Sequence, residues 1–241
     1  MPEVVLAHQV DFATWRSASR FFVHAGAVPQ DLHWSVAPTE LQAQHLVEPS
    51  RMFPEPAVPV MNLSRRFVGG LGQALQARDP ERFARLYRIL YRLAHGRLEL
   101  TDTHDPDLQW LRQAMVAVRA ETLRFREAFS AFSAQQSGTS LQDNPEHYIL
   151  EANARYCTQR NVRAWRVVTP YRRMEWTGSQ IRFATGTDAV PEEAHVQWQA
   201  DGVGIWRGYV LSVLPPQRRD VAAASHLAMA GAEAGDCRAC G

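Results

Sequence analysis

Residues 105–132 read DPDLQWLRQAMVAVRAETLRFREAFSAF. Within them Leu108, Leu111, Met115, Val118, Thr122, Phe125, Phe129 and Phe132 recur at alternating spacings of three and four. That spacing marks one face of an α-helix, here about seven turns long. Asp105 followed by Pro106 supplies its start, a capping carboxylate and a first-turn proline. A seam of this length is core or a helix-pairing face. Further along, the period changes. Residues 164–169 (AWRVVT), 173–177 (RMEWT) and 180–183 (QIRF) read as strands, with Gly178-Ser179 as a turn. Helices followed by strands predict an α+β fold with a helical middle region and a small, largely antiparallel sheet, not a doubly wound parallel sheet.

On the N-terminal side, residues 2–10 alternate weakly and predict a strand. Asp11 then opens a helical pattern, Phe12, Trp15, Ala18, Ser19 and Phe22, with Gly26 as its stop. Leu32, Trp34 and Val36 alternate as in a short strand. The stretch 37–60 carries Pro38, Pro49, Pro54, Pro56 and Pro59, so it reads as a connecting loop. Asn62 or Ser64 caps a helix reaching about Ala77 that contains Gly69, Gly70 and Gly72. Their setting, GGLGQAL, matches neither the dinucleotide fingerprint nor a phosphate loop, and predicts close helix packing or a kink. Asp79-Pro80 predicts a further helix start, and the helix runs to about Ala94 with Gly96 beyond it. Residues 135–145 read as a polar loop and 154–162 as a short helix. Residues 203–214 read as another apolar helix or strand, and 221–236 as an Ala-rich linker or weak helix. The expected organisation is one α+β domain over 1–220 and a tail over 221–241.

The chain of 241 residues is 46% hydrophobic and 21% charged, which excludes a disordered chain, a collagen-like fibre or a disulfide scaffold. No apolar run reaches the roughly 18 residues of a membrane span, and residues 1–12 show no secretory pattern. The expectation is therefore a cytoplasmic protein without a membrane partner. The net charge of +1 hides two blocks. Every basic residue is Arg. Residues 65–97 oppose eight of them to Asp79 and Glu81, and residues 155–182 oppose seven to Glu175. Such clusters are either solvated faces or a phosphate-binding footprint. On the helix after Asp79, Phe83, Leu86, Tyr87, Leu90 and Ala94 share one face, and Arg85, Arg88 and Arg92 lie opposite. Glu81 can pair with Arg85, but Arg88 and Arg92 have no acidic partner on that helix.

Catalytic motifs of hydrolases, zinc proteases and nucleotide-binding loops are absent from the sequence. Asp102, His104, Asp105 and Asp107 read as an acid-enriched helix N-terminus rather than a metal site. Cys157 reads as a small buried hydrophobe. Cys237 and Cys240, in Cys-Arg-Ala-Cys, have the spacing of half a zinc or iron–sulfur site, but two thiolates do not close a four-ligand shell, and within this chain the pair reads as an unoccupied, reactive tail.

Four short pieces, in order along the chain, carry a resemblance. They are Phe12-x-x-Trp15-Arg16-x-x-x-Arg20, Asp79-Pro80-Glu81-Arg82-Phe83-x-x-Leu86-Tyr87-Arg88, Thr169-Pro170 through Trp176-x-Gly178, and Trp206-Arg207-x-Tyr209-x-x-Ser212-Val213-Leu214-x-Pro216-x-Arg218. Over roughly residues 3–220 the chain resembles a bacterial domain of unknown function labelled a probable DNA-metabolism protein. That domain occurs beside a radical-SAM protein linked to DNA repair, or fused ahead of an iron–sulfur uracil-DNA glycosylase. The resemblance implies that Cys237 and Cys240 stand where the glycosylase's first two cluster ligands begin, and that this chain is the N-terminal domain without the enzyme. It departs from the family at Leu123-Arg124, where a His-Lys pair is usual, and at Pro215, where Asn is usual.

The expected function is a DNA-repair-associated accessory domain that binds nucleic acid, DNA being the expected partner. Arg would contact phosphates and aromatic rings would stack on exposed bases. The candidate residues are Arg85, Arg88, Arg92, Arg163, Arg166, Arg172, Arg173, Trp176, Arg207 and Tyr209. The rival readings are a docking module for a radical-SAM or glycosylase partner, and an enzyme acting on a nucleobase through unrecognised residues. No cofactor is expected on this chain alone; an iron–sulfur cluster belongs to a longer fusion. Because Cys237 and Cys240 supply two of the four thiolates such a cluster uses, anaerobic reconstitution of residues 1–241 should give no stoichiometric visible absorbance. A cluster that disappears in the Cys240→Ser variant would contradict that expectation.

Overall fold

The first strand, β1 (Glu3–Leu6), and β2 (His33–Val36) pair in parallel, Glu3 opposite His33 and Leu6 opposite Val36. Helix α1 (Phe12–His24) makes the crossover between them. This arrangement comes from a computed structural model that describes residues 2–37, 52–54, 61–135 and 138–186. The remaining helices are α2 (Arg65–Ala74), α3 (Arg82–Ala94), α4 (Pro106–Gln135) and α5 (Leu150–Arg160). A second sheet joins β3 (Ser140–Gln142), β4 (Trp165–Val168), β5 (Arg172–Trp176) and β6 (Ile181–Thr185) in that order. Strand β3 is parallel to β4, and the other two pairings are antiparallel. The fold is α+β. Among the described residues no helix is long and apolar enough to cross a membrane.

Local chemistry explains most boundaries. Asp11 caps α1, its carboxylate accepting from the Thr14 amide at 3.0 Å, and Gly26 takes the left-handed φ of 71° just past the helix. Ser64 caps α2 by accepting from the Phe67 amide at 3.2 Å. Asp105 caps α4 through the Asp107 and Leu108 amides at 3.1 and 3.0 Å.

Three expectations need correction. Asp79 does not cap a helix beginning at Pro80: its carboxylate accepts from the Glu81 amide at 2.8 Å, two residues on, and this local turn delays α3 to Arg82. Helix α5 begins at Leu150, not 154, because the polar Asn153 that interrupts its apolar face is satisfied when buried. Its amide donates to the Ile149 carbonyl at 2.9 Å and its oxygen accepts from Arg126 Nε at 2.7 Å. Strand β3 lies within the expected polar loop, since three residues of SLQ carry no alternation signal and pairing with β4 alone makes them a strand. The expected elements in 203–214 and 221–236, and nearly all of the Pro-rich loop, fall outside the described residues.

Helix α4 is the spine. Leu108, Leu111, Ala114, Val118, Phe125 and Phe129 are buried along it. Its first half meets α2, where an added Cβ on Gly70 would lie 3.1 Å from both Met115 Sδ and Cε. Gln73 Nε2 donates to the Met115 carbonyl at 2.8 Å across the same contact. Gly70 of GGLGQAL thus serves close helix packing. The second half meets the sheet, the Phe129 and Trp165 rings standing edge to face at 5.1 Å. Trp15, fully buried, donates to the Phe83 carbonyl at 3.2 Å and ties α1 to α3.

The Gly70 contact has a graded cost. Gly70→Ala gains helix propensity of about 1 kcal/mol, which offsets a small shift of the flexible Met115. Gly70→Leu overpacks the contact and should lose about 1–3 kcal/mol in urea denaturation, part of it recovered in the Gly70→Leu, Met115→Ala double variant.

Candidate functional site

The Arg face of α3 does not stand free. Arg88 makes a two-pronged pair with Asp107, Nε to Oδ2 at 2.7 Å and Nη2 to Oδ1 at 2.5 Å. Arg92 reaches Asp105 at 2.6 Å and Asp107 at 3.5 Å. Arg85 lies 3.1 Å from Glu81 and 3.7 Å from Asp79, with its guanidinium over the Trp110 ring at 5.6 Å. The acids missing from α3 are supplied by the start of α4. The two carboxylates there are almost fully buried, whereas the Arg88 side chain remains 41% exposed. Contact with Asp107 raises the Arg88 pKa further. Burial alone would raise the Asp105 pKa, yet the Leu108 amide and the Arg92 guanidinium together hold it below the ordinary carboxyl value. The acid-rich helix start is therefore the other half of the Arg stripe.

Arg172 is likewise committed. Its Nε lies 2.8 Å from buried Glu151 Oε1, and its guanidinium stacks on Phe183 at 5.4 Å. Trp176 sits on the inner side of the sheet, half-buried, its N–H donating to the Val162 carbonyl at 3.2 Å. Arg124 forms a two-pronged pair with Asp143 at 2.9 and 3.0 Å, while Leu123 beside it is 53% exposed.

The outer side of the second sheet is different. Strand alternation places Trp165, Val167, Met174 and Phe183 inward. The same alternation places Arg166, Glu175 and Arg182 in one register row across β4, β5 and β6, facing outward. Arg173 is on the same face, one row along. Glu175 Oε1 lies 2.7 Å from Arg166 Nε and 3.2 Å from Arg173 Nε. Two guanidinium groups thus hold one carboxylate, and Arg182 stands next to it in the register row. Arg163, exposed on the segment before β4, has no ionic partner among the described residues. Arg182 was not expected as a site residue, because its tie to Glu175 is a strand register; its membership of the 155–182 Arg block was the available signal. Arg207, Tyr209, Cys237 and Cys240 lie outside the described residues.

Cys157 is fully buried on α5, and burial pushes its thiol pKa well above the ordinary value, so it is an unreactive core residue. Among the described residues no three His, Cys, Asp or Glu side chains converge as a metal site would require. Compared with protein-family models, with curated proteins and with solved structures, the chain matches none.

The pairing reverses one consequence of a solvated Arg stripe, namely that its loss would leave stability unchanged. The Arg88→Gln, Arg92→Gln double variant strands two buried carboxylates and should lose about 1–3 kcal/mol, the exposure of Arg88 keeping the figure below that of a fully buried pair. Asp105 also sets a pH dependence. A carboxyl whose folded pKa is depressed stabilises fully above its unfolded value, about 3.9, and loses that contribution as pH falls toward the folded value. Urea denaturation from pH 5 downward should show wild-type stability falling through this window and a shallower fall in Asp105→Asn.

Proposed function

We propose that the chain is a nucleic-acid-binding accessory domain and that the open face of its second sheet is the contact surface. The observation that supports this is the outward row Arg166–Glu175–Arg182 with Arg173 beside it, an excess of guanidinium groups on a solvent-facing sheet. Adjacent strands are about 4.8 Å apart, so Arg166 and Arg182 are about 10 Å apart across Glu175. Each guanidinium offers a planar pair of donors suited to a phosphate. Glu175 holds Arg166 and Arg173 extended in the free protein and is the competitor that a phosphate displaces. The resemblance to a DNA-metabolism domain supplies the setting of this reading: DNA repair in the cytoplasm, beside a radical-SAM protein or a uracil-DNA glycosylase. In this reading Arg85, Arg88, Arg92 and Arg172 build the scaffold, and Trp176 supports the sheet from its inner face.

A second reading, a docking module for such a partner, is favoured by one observation. Val116, Ala120 and Leu123 form an outward stripe on α4, Val116 being 70% exposed. The two readings separate by salt and by sign of charge. Arg166→Gln and Arg182→Gln should each weaken binding to a DNA oligonucleotide and flatten the slope of log K against log salt by about 0.7–0.9. Glu175→Gln should tighten binding, because it removes the competing carboxylate. Fluorescence anisotropy across a salt series measures both. Parent protein without salt-dependent DNA binding, combined with partner capture that is lost in Leu123→Glu, would favour docking.

A further inference from the structure

A cavity of about 350 Å³ lies between α1 and residues 61–71, with Leu90 of α3 in its wall. That volume is at the lower end of small-ligand sites, which run from about 300 to 1,000 Å³. Much of its wall is apolar: Phe12, Trp15, Val23, Leu71 and Leu90 are all buried. The Phe12 and Trp15 rings stack on each other with centroids 5.7 Å apart and planes 25° apart, a rigid aromatic side to the cavity.

Three polar side chains of α1 line the same space. Arg16 and Arg20 are one turn apart on one face of the helix, and among the described lining residues none is acidic. Arg16 is exposed and has no carboxylate partner among the described residues. Ser19, between them in sequence, has no exposed surface, and its hydroxyl is buried without a hydrogen-bond partner. A serine within a helix can bond back to the carbonyl four residues earlier; this one does not. A buried hydroxyl left unpaired is costly, so the site favours a ligand that returns the bond.

These groups define the ligand by chemistry. The guanidinium groups call for an anion that can take parallel N–H bonds, which a phosphate does. The aromatic and aliphatic wall calls for a compact apolar body. The Ser19 hydroxyl calls for a hydrogen-bonding atom on that body, which an alkyl chain lacks and a nucleobase ring has. We propose that this cavity is a binding site for a nucleoside monophosphate, with the phosphate on Arg16 and Arg20 and the base against Phe12 and Ser19. The nucleotide is either free or the 5′-phosphorylated end of a single strand. The site shares no residue with the sheet face, so each stands or falls alone.

The test uses the full chain and four probes, dTMP, thymidine, inorganic phosphate and hexanoate, titrated by saturation-transfer NMR and calorimetry. Binding of dTMP that is saturable and tighter than either half-ligand supports the site. Arg16→Gln should weaken dTMP about ten- to a hundredfold. Ser19→Ala should weaken dTMP but leave phosphate binding unchanged. Because Ser19→Ala removes an unpaired buried hydroxyl, its melting temperature should match or exceed the parent's, which separates a binding loss from a folding loss. Equal affinity for thymidine and dTMP, equal affinity for hexanoate and dTMP, unchanged dTMP binding in both variants, or no saturable dTMP binding at all would each overturn the proposal. Where dTMP binds, displacement by a 5′-phosphorylated oligonucleotide in the Arg166→Gln, Arg182→Gln background assigns the site to a strand end, and lack of displacement assigns it to the free nucleotide. The same background leaves dTMP binding intact, so failure of the sheet-face reading is not mistaken for failure of this one.

Discussion

Asp105 joins two tasks at one point of the chain. Its carboxylate caps α4 by accepting from the Asp107 and Leu108 amides, and the same group receives Arg92 from α3 at 2.6 Å. Asp107, two residues on, takes Arg88 with both oxygens. The start of the longest helix is thereby fixed against its neighbour by buried charge. Everything downstream on α4 inherits that position: Met115 over Gly70, then Phe125 beside Phe129, and Phe129 against Trp165 of the second sheet. A buried charge pair is an uncertain source of net stability, but removing one partner is costly. Such a pair fixes which arrangement of α3 and α4 is tolerable more than it adds to their attraction.

The Arg content of the chain then divides by what each residue faces. Arg88, Arg92 and Arg172 meet carboxylates that the core has desolvated, and their charge is consumed in holding elements together. Arg82 is the extreme case: burial brings its pKa down to about 10, and it donates to the Gln9 carbonyl and side chain and packs over Phe83 and Tyr148. Arg163, Arg166, Arg173 and Arg182 lie where solvent reaches, with Glu175 as the carboxylate among them. The same side chain is a structural tie in one place and a candidate phosphate contact in the other, and the difference is burial of the partner acid.

The candidate site was legible in the sequence only as a region. The 155–182 Arg block contains the residues of the outward sheet row, because strand segments with alternating Arg can be read without coordinates. The Arg stripe of α3 was equally visible, and its meaning was not. An ion pair between residues 88 and 107 spans a turn and a helix start, and no periodicity within α3 reports it. The cavity beside α1 was illegible for a similar reason. Arg16, Ser19 and Arg20 have a helical spacing, but the walls opposite come from residues 61–71 and from Leu90.

What the sequence determined by itself is what nearest neighbours along the chain determine. The seam of α4 follows from a spacing of three and four; the caps at Asp11, Ser64 and Asp105 follow from side chains that reach amides two or three residues on; the strands after 164 follow from alternation. Tertiary structure decided the rest. It made a strand of Ser140–Gln142 by offering β4 as a partner, moved the start of α5 back to Leu150 by satisfying Asn153 through Arg126, and turned an unpaired Arg stripe into a clamp by bringing Asp105 and Asp107 alongside. The physical reason is the same in each case. Local spacing fixes which groups share a face, but whether a charge or an amide is paired depends on a group distant in sequence, and only packing sets that distance.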